Sequence, residues 1–250
     1  MAPKLVIDLE TIPASETAHL WTPPPDRENP FAPVHAHKIV VLGWAKIYPD
    51  KPLHSYGVLT APLLNEEQIL RQLNKLIASF NQKDSSVLSC DLVTFNGREF
   101  DLPVIVHRAF HYGIDLSWYY QPRGTRYRFT TDDHFDIFDF LSDHGALRRG
   151  TGQDKFCKLM GLPGKLDTDG GQVSAMWENG EHEKVANYCL QDVLQLAFIY
   201  HRVQLIRGMY SLEHYRQQIR MTLQSLEQEE NEDIQKIVSN INHELLLLEK

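Results

Sequence analysis

Residues 4–10 alternate: Leu5, Ile7 and Leu9 fall on one face and Val6, Asp8 and Glu10 on the other, the period-two pattern of a buried strand. Two carboxylates on one face of such a strand are unusual. The stretch from about Thr11 to His37 is rich in proline, including Pro23, Pro24 and Pro25, and is expected to form a long loop whose length marks a functional or mobile segment. Order returns at 38–48 and 53–60, two strands joined by a turn through Pro49, Asp50 and Lys51. Asn65 answered by Gln68 has the form of a helix start, and Ile69, Leu70, Leu73, Leu76, Ile77 and Phe80 then keep helical spacing, which predicts a crossover helix.

A short strand at about 91–95 leads into Asn96-Gly97. Pro103 is tolerated in the first turn of a helix that begins at Asp101 or Leu102, and Gly113 ends that helix. A strand near 134–140, a short helix near 153–160 and a long helix from about 182 to 207 follow. Strands first, then alternating helix and strand units, predict an α/β fold with a mixed sheet covered by helices. The tail from Ser211 to Lys250 reads as two amphipathic helices, with the glutamate-rich stretch around 227–233 as their turn. Its apolar stripe can pack on its own domain or on another subunit, and packing in cis is the expectation; the oligomeric state stays open.

A chain of 250 residues, 42% of them hydrophobic, supports one substantial core with a small helical appendage. No apolar run approaches bilayer length and MAPKLVIDLE lacks the layout of a secretory signal, so a cytoplasmic protein with no membrane partner is expected. Cys90, Cys157 and Cys189 show no C-x-x-C spacing and are expected to be small buried thiols. The net charge of -8 argues against wrapping duplex DNA by counterion release. It leaves a nuclease open, because a carboxylate site is negative until metal arrives and a strand end needs few positive contacts.

Phosphodiester hydrolysis by two metals uses one ion to activate water and one to stabilise the leaving oxygen, about 3.5–4 Å apart on shared carboxylates. Hard ions such as magnesium or manganese take oxygen ligands. Asp8 and Glu10 point the same way from one strand and can share an ion. Asp192 lies four residues beyond Tyr188, so on a helix the two project from neighbouring positions, at the border of the stripe formed by Val185, Cys189, Val193, Leu196, Tyr200 and Val203. The third element is FNGREFDLP, residues 95–103, where a strand end, an Asn-Gly turn and an aspartate at a helix start coincide. Each element alone is weak, since an Asp-x-Glu pair arises by chance and a Tyr four residues before an Asp is usually a surface neighbour.

In this order, DLET at 8–11, NGREFD at 96–101 and YCLQD at 188–192 resemble the signature of the DEDDy 3′-to-5′ exonucleases. The similarity is closer still to the bacterial proteins related to the exonuclease domain of family-B DNA polymerases. There it takes in FDLPVIVHRA at 100–109, HFDIFDFLS at 134–142, GLPGK at 161–165 and DGGQV at 169–173, and so most of residues 4–208. The resemblance implies a ribonuclease H-like fold, a mixed five-stranded sheet flanked by helices, with an exonuclease domain at 1–208 and a helical C-terminal extension at 209–250. It implies an enzyme acting on a single-stranded DNA 3′ end with two divalent ions, Mg2+ or Mn2+, for repair or processing. In that pattern Asp8 bridges both ions, Glu10 and Asp192 complete the catalytic-metal site, Asp101 supports the second ion, and Tyr188 orients the attacking water. One departure stands out: where a Ser-Leu-Asp stretch is expected before the 153–160 helix, this chain reads TGQDKF at 151–156, which bears on substrate preference.

Thr11 and Ile12 follow the metal-binding strand and are candidate contacts to the terminal nucleotide, with Asn96 of the third motif. Arg98, Arg108, Arg123, Arg126, Arg128, Arg148 and Arg149 supply positive charge that a phosphate backbone could track, and Tyr127 and Phe129 interleave the Arg123–Arg128 cluster as base-stacking candidates. Solvated arginines are the plain alternative. Trp21 and Phe31 are expected to pack against the core, with stacking on a base as the alternative. GLPGK lacks the spaced glycine and the hydroxyl of a nucleotide-triphosphate loop, and His35 and His37 have no Cys or Glu at ligand spacing. Two other readings stand beside the leading one: a 3′-to-5′ exoribonuclease, since no 2′-hydroxyl reader can be named, and a nucleic-acid-binding adaptor with little turnover. Retention of all four acids and the tyrosine favours the enzyme.

Overall fold

The computed structural model describes residues 2–22, 24, 31–80, 90–147, 151–166 and 170–249. Five strands, β1 (Lys4–Pro13), β2 (His37–Tyr48), β3 (Lys51–Thr60), β4 (Asp91–Thr94) and β5 (His134–Asp136), form one sheet in the order β3-β2-β1-β4-β5. The first three pair antiparallel, and β1, β4 and β5 run parallel. This mixed sheet flanked by helices is a ribonuclease H-like α/β fold.

Period-two alternation in β1 divides the core in two. Leu5, Ile7 and Leu9 pack with helices α1 (Glu66–Ala78) and α2 (Asp101–Tyr112) on one side. Val6 turns to the other side, which is covered by α8 (His182–Ile206) and the C-terminal helices α9 (Leu212–Glu227), α10 (Glu232–Ser239) and α11 (His243–Leu247). Asp8 and Glu10 share the face of Val6 and come at the carboxyl end of the strand. The parallel pairing of β1 with β4 stops at Val6 and Val93. Beyond it the two strands diverge, the usual place for a ligand crevice in a sheet with parallel strands.

The remaining helices are short: α3 (Ser117–Tyr120), α4 (Arg123–Arg126), α5 (Ile137–Leu141), α6 (Gln153–Leu159) and α7 (Val173–Glu178). The expected start of α1 is present as a reciprocal cap, with Asn65 accepting from the Gln68 amide and the Gln68 side chain from the Asn65 amide. Gly113 ends α2 in the left-handed conformation, φ +63°.

Four boundaries differ from the sequence reading. The segment from Thr11 to His37 is only partly loop: β1 continues to Pro13, paired with β2 as far as His37, and 3-10 turns follow at Ser15–Leu20 and Val34–Ala36. The ladder extends because Pro13 sits at its end, where a missing donor costs nothing; Pro23 and Pro25 lie outside the described residues. The expected strand at 134–140 stops at Asp136, whose carboxylate accepts the amides of Phe138 and Asp139 and so begins α5. Lys51 belongs to β3 rather than to the turn. The tail carries a third helix, α11, capped by Asn242.

No helix among the described residues is long and apolar enough to cross a membrane. Cys90, Cys157 and Cys189 are free and buried, as expected.

Candidate active site

Three features of the backbone build the site. The pairing of β1 with β2 is irregular between Glu10 and Thr11, where Val40 is the extra residue, a bulge that re-aims the side chains just after the two acids. Asp8 pairs with Gly43 on β2. A Cβ at Gly43 would lie 2.7 Å from Val193 Cγ2 and 2.9 Å from Cys189 Sγ, so only glycine lets α8 approach the sheet closely enough to bring Tyr188 and Asp192 over β1. The third feature is the turn between β4 and α2. Asn96 adopts a left-handed conformation, φ 62°, and Gly97 folds against Thr94, where a Cβ would come within 2.5 Å. Asp136 pins this turn by accepting the amides of Asn96 and Arg98, each at 2.9 Å. Leu102 N–H then donates to the Gly97 carbonyl and α2 begins, with Asp101 in its first turn.

The electrostatics place the four acids in one neighbourhood. Burial, then the charges of Asp101, Glu10 and Asp192, push the Asp8 carboxyl well above the usual range. Burial, then Asp192 and Asp101, do the same to Glu10, while the nearby Lys165 ammonium acts in the opposite direction. Asp101 is pushed up to about 7 by burial and the charge of Asp136, against hydrogen bonds from its own amide and that of Leu9. Asp192 is pushed up to about 6 by burial, offset by the Tyr188 hydroxyl and Lys165. Burial and these acids hold the Tyr188 phenol protonated well beyond its ordinary range. At neutral pH it is therefore a hydrogen-bond donor and not a base.

Among the described residues, one set of three His, Cys, Asp or Glu side chains has ligand atoms all within 4.8 Å of one another: Asp8, Glu10 and Cys189. Asp101 and Asp192 stand outside this compact set while still acting on it through their charge. Buried carboxylates that repel one another, with oxygen donors directed into a cleft, fit hard divalent cations.

Asp8, Glu10 and Asp101 line a cleft of 890 Å³. Thr11, His37 and Asn96 line it too. His37 Nε2 lies 3.0 Å from the Ala32 carbonyl and must donate there, so in the neutral ring, which burial favours, Nδ1 accepts from the Thr11 hydroxyl at 2.9 Å. Ile12 instead packs with Val173 and Tyr188 beneath α7. Trp21 and Phe31 face the cleft rather than the core. Phe31 is 76% exposed, with its ring 5.5 Å from Phe100 and 5.0 Å from His37. The expected core packing of Phe31 fails because its ring partners among the described residues stand at the cleft mouth.

The arginines divide. Arg108 is buried and bonded to Glu66 and Glu16, which corrects its reading as a phosphate contact: its charge ties α2 to α1 and to the Ser15–Leu20 turn. Arg98 is spent on the Thr125 and His134 carbonyls. Arg128 binds Asp139 and lines a 390 Å³ recess that shares Phe95, Asn96 and Glu99 with the cleft. Arg123 and Arg126 are exposed on α4, with Arg126 over the Tyr120 ring. Tyr127 and Phe129 are exposed. Arg148, Arg149 and Asp169 lie outside the described residues.

Two site residues escape the sequence reading. Lys165, which enters that reading within the GLPGK segment and without a role at the site, sets its ammonium 5.9 Å from the Tyr188 ring and biases Glu10 and Asp192. Its backbone is fixed by Asp154, which accepts the Lys165 amide, and Gln153 donates to the Asp192 carbonyl at 2.8 Å. The departing segment TGQDKF thus braces the site from behind. Cys189 belongs by its spacing to the apolar stripe, and its neighbourship to Asp8 is set by the close approach of α8 to the sheet at Gly43.

The fold defines a ribonuclease H-like protein with a carboxylate-lined cleft. The profile of the family described as "Predicted 3'-5' exonuclease related to the exonuclease domain of PolB" matches residues 29–241, and the chain belongs to that family. The fold is similar to that of the family B DNA polymerase from the hyperthermophilic archaeon Pyrobaculum calidifontis, with a TM-score of 0.57 at 12% identity over 89% of this chain and 29% of the polymerase. Exonuclease I gives TM-scores of 0.42 and, for the E. coli enzyme in complex with a dT13 oligonucleotide, 0.41, each at 11% identity. Those matches cover 86% and 82% of this chain but 42% and 41% of theirs, so the chain spans well under half of each of these proteins. No curated protein matches the chain. Family membership supports a nuclease-type hydrolase that acts on nucleic acid.

Proposed function

We propose that this protein is a metal-dependent 3′-to-5′ exonuclease of the DEDDy type that hydrolyses phosphodiester bonds at the 3′ end of single-stranded DNA. The observation that carries the reading is that Asp8 and Glu10 bring their ligand atoms together on β1 while Asp101, from a separate segment, lines the same cleft, with the charges of Asp101 and Asp192 bearing on both. Asp8, Glu10, Asp101 and Asp192 would hold two divalent ions, Mg2+ or Mn2+, with residues 1–208 as the exonuclease unit and 209–250 as a helical extension. When bound, such ions supply an activated water and charge neutralisation at the leaving oxygen.

The chain's own groups do the rest. Tyr188, kept protonated and bonded to Asp192, offers its phenol oxygen as the acceptor that fixes the orientation of the attacking water. Lys165 offsets the negative charge of Glu10 and Asp192. Thr11 and Asn96 line the place of the terminal nucleotide, Phe31 and Phe100 offer faces to its base, and the recess carrying Arg128 continues the path for the upstream phosphates. Arg123 and Arg126, with Tyr127 and Phe129, extend that path on the surface.

The test is degradation of a labelled oligonucleotide as single-stranded DNA, duplex DNA or RNA, each with magnesium, manganese or chelator. Asp8→Ala and Asp192→Ala are expected to abolish shortening from the 3′ end. Tyr188→Phe is expected to lower it about 100- to 1000-fold, the scale of one positioned hydrogen-bonding group. Undiminished activity in purified Asp8→Ala protein discards the assignment, and a preference for RNA replaces the substrate.

A further inference from the structure

We propose that the pocket between residues 128–131, α5 and the carboxyl end of α8 is a phosphate-binding site, separate from the carboxylate cleft. It takes one phosphate group, either from the backbone of a strand or as free orthophosphate.

The walls supply three guanidiniums, those of Arg98, Arg128 and Arg207, with the hydroxyls of Thr130 and Thr131 and the imidazole of His144. Asp136 and Asp139 share the space, and both carboxylates are committed. Asp136 accepts the amides of Asn96, Arg98, Phe138 and Asp139. Asp139 takes the Arg128 guanidinium, with a contact of 2.6 Å to its terminal nitrogen. Arg207 has no carboxylate partner among the described residues and donates instead to the neutral oxygens of Gln204 and Thr131. Its guanidinium is held 4.8 Å from the centre of the Phe135 ring and 5.8 Å from that of Phe140, a fixed presentation that suits the oxygens of a tetrahedral anion.

Donors in this pocket outnumber acceptors. Thr131 Oγ1 accepts from Arg207 and Thr130 Oγ1 from the Asp132 amide, and among the described residues neither hydroxyl proton has an acceptor. The His144 ring makes no hydrogen bond among the described residues, and its Nδ1 is buried without a partner. Shielded donors without acceptors cost free energy that a ligand rich in acceptor oxygens recovers. Phosphate is such a ligand, and its charge answers that of Arg207. At 170 Å³ the pocket falls below the roughly 300–1,000 Å³ of drug-sized ligand sites, so it has room for a phosphate group and not for a nucleoside. Arg128 and Asp139 also line the 390 Å³ recess that meets the cleft at Phe95, Asn96 and Glu99, so a strand lying along that recess reaches the edge of the pocket.

The test uses the full chain in chelator, free of divalent metal, at constant ionic strength. Inorganic phosphate is titrated by isothermal calorimetry into the wild type, Arg207→Gln and Thr131→Val. Saturable single-site binding in the millimolar range or tighter is expected in the wild type, weakened about tenfold or more in each variant, the scale of one hydrogen bond to a charged group. Absence of saturable binding in the wild type overturns the proposal, as does equal affinity in the wild type and the variants. Should Arg207→Gln fold poorly, Thr131→Val, which removes a hydroxyl and no charge, decides by the same criterion. A short fluorescent oligothymidylate, bound in the same buffer and followed by anisotropy, separates the two sources. Displacement by inorganic phosphate in the wild type, with weaker oligonucleotide binding in Arg207→Gln, supports the site and assigns it to a phosphate of the strand. Phosphate binding without displacement supports it as a site for free orthophosphate. Magnesium-dependent degradation is measured alongside: phosphate binding with no nuclease activity retains the pocket and discards the exonuclease, while activity without phosphate binding does the reverse.

Discussion

Replacing Asp192 by asparagine should stabilise the metal-free protein while removing its activity. In the folded chain burial moves the Asp192 carboxyl from the ordinary range to about 6. In the unfolded chain it titrates near 4. The folded state therefore holds the proton more tightly, so this group's contribution to stability is fully present below about pH 4 and is lost as pH rises through about 6. A displacement of this size corresponds to about 3 kcal/mol as a ceiling, and solvent reaching the cleft lowers it to about 1–3 kcal/mol. For a chain of this length each kcal/mol moves Tm by about 2–4 °C, which predicts about 2–12 °C.

The carboxamide would keep an acceptor for Tyr188 and lose only the charge, so Asp192→Asn should equal the wild type below about pH 3.5 and exceed it at pH 8. The assay is thermal unfolding followed by circular dichroism in chelator across that range. Only the difference between the two proteins is diagnostic. His134 and His201, held neutral to about 3 and about 4 mainly by burial, lower stability as pH falls below about 6.5 in both proteins alike. Added magnesium should raise the Tm of the wild type and close the gap, because it binds the folded state alone. A flat difference curve, or an asparagine variant less stable at pH 8, would show that burial does not hold Asp192 against its charge and would remove that support for a cation site.

Two further outcomes follow from the packing. Gly43→Ala introduces a Cβ against Val193 and Cys189, forcing α8 off the sheet; a loss of about 1–3 kcal/mol in urea unfolding is expected, together with weaker magnesium-dependent degradation, and an unaltered protein would mean that close approach is not required. Arg108→Met leaves Glu66 buried without its cation, although Ile39 N–H and Tyr112 still donate to it; a cost of about 3–5 kcal/mol is expected with kcat retained once the chain is folded, and a loss confined to kcat would return Arg108 to the substrate path.

What the sequence made legible was whatever local chemistry determines. The Asn65 and Gln68 cap, the Gly113 stop and the alternation in β1 each depend on neighbours within a few positions, and each is present as read. The length of β5 is misjudged from sequence because a run such as HFDIFDFL suits either element, and the decision rests with Asp136, which serves the amides of α5 and of a turn forty residues earlier. Arg108 looks like surface charge because its partners, Glu16 and Glu66, are remote in sequence. Lys165 and Cys189 escape notice for the same reason: their relation to the acids exists only once α8 has crossed the sheet at Gly43.

Helix α8 presents Tyr188 and Asp192 at one end, and near the other Arg202 grips the carbonyls of Leu245 and Leu246, while Arg216 on α9 grips those of Leu247 and Leu248. Asn242 is stitched to Gly161 as well, just ahead of Lys165. The α11 turn is therefore coupled to the helix that carries Tyr188 and Asp192. A proteolytic nick, a fused reporter or a crosslink placed there would bear on the position of those two side chains by tilting one rod.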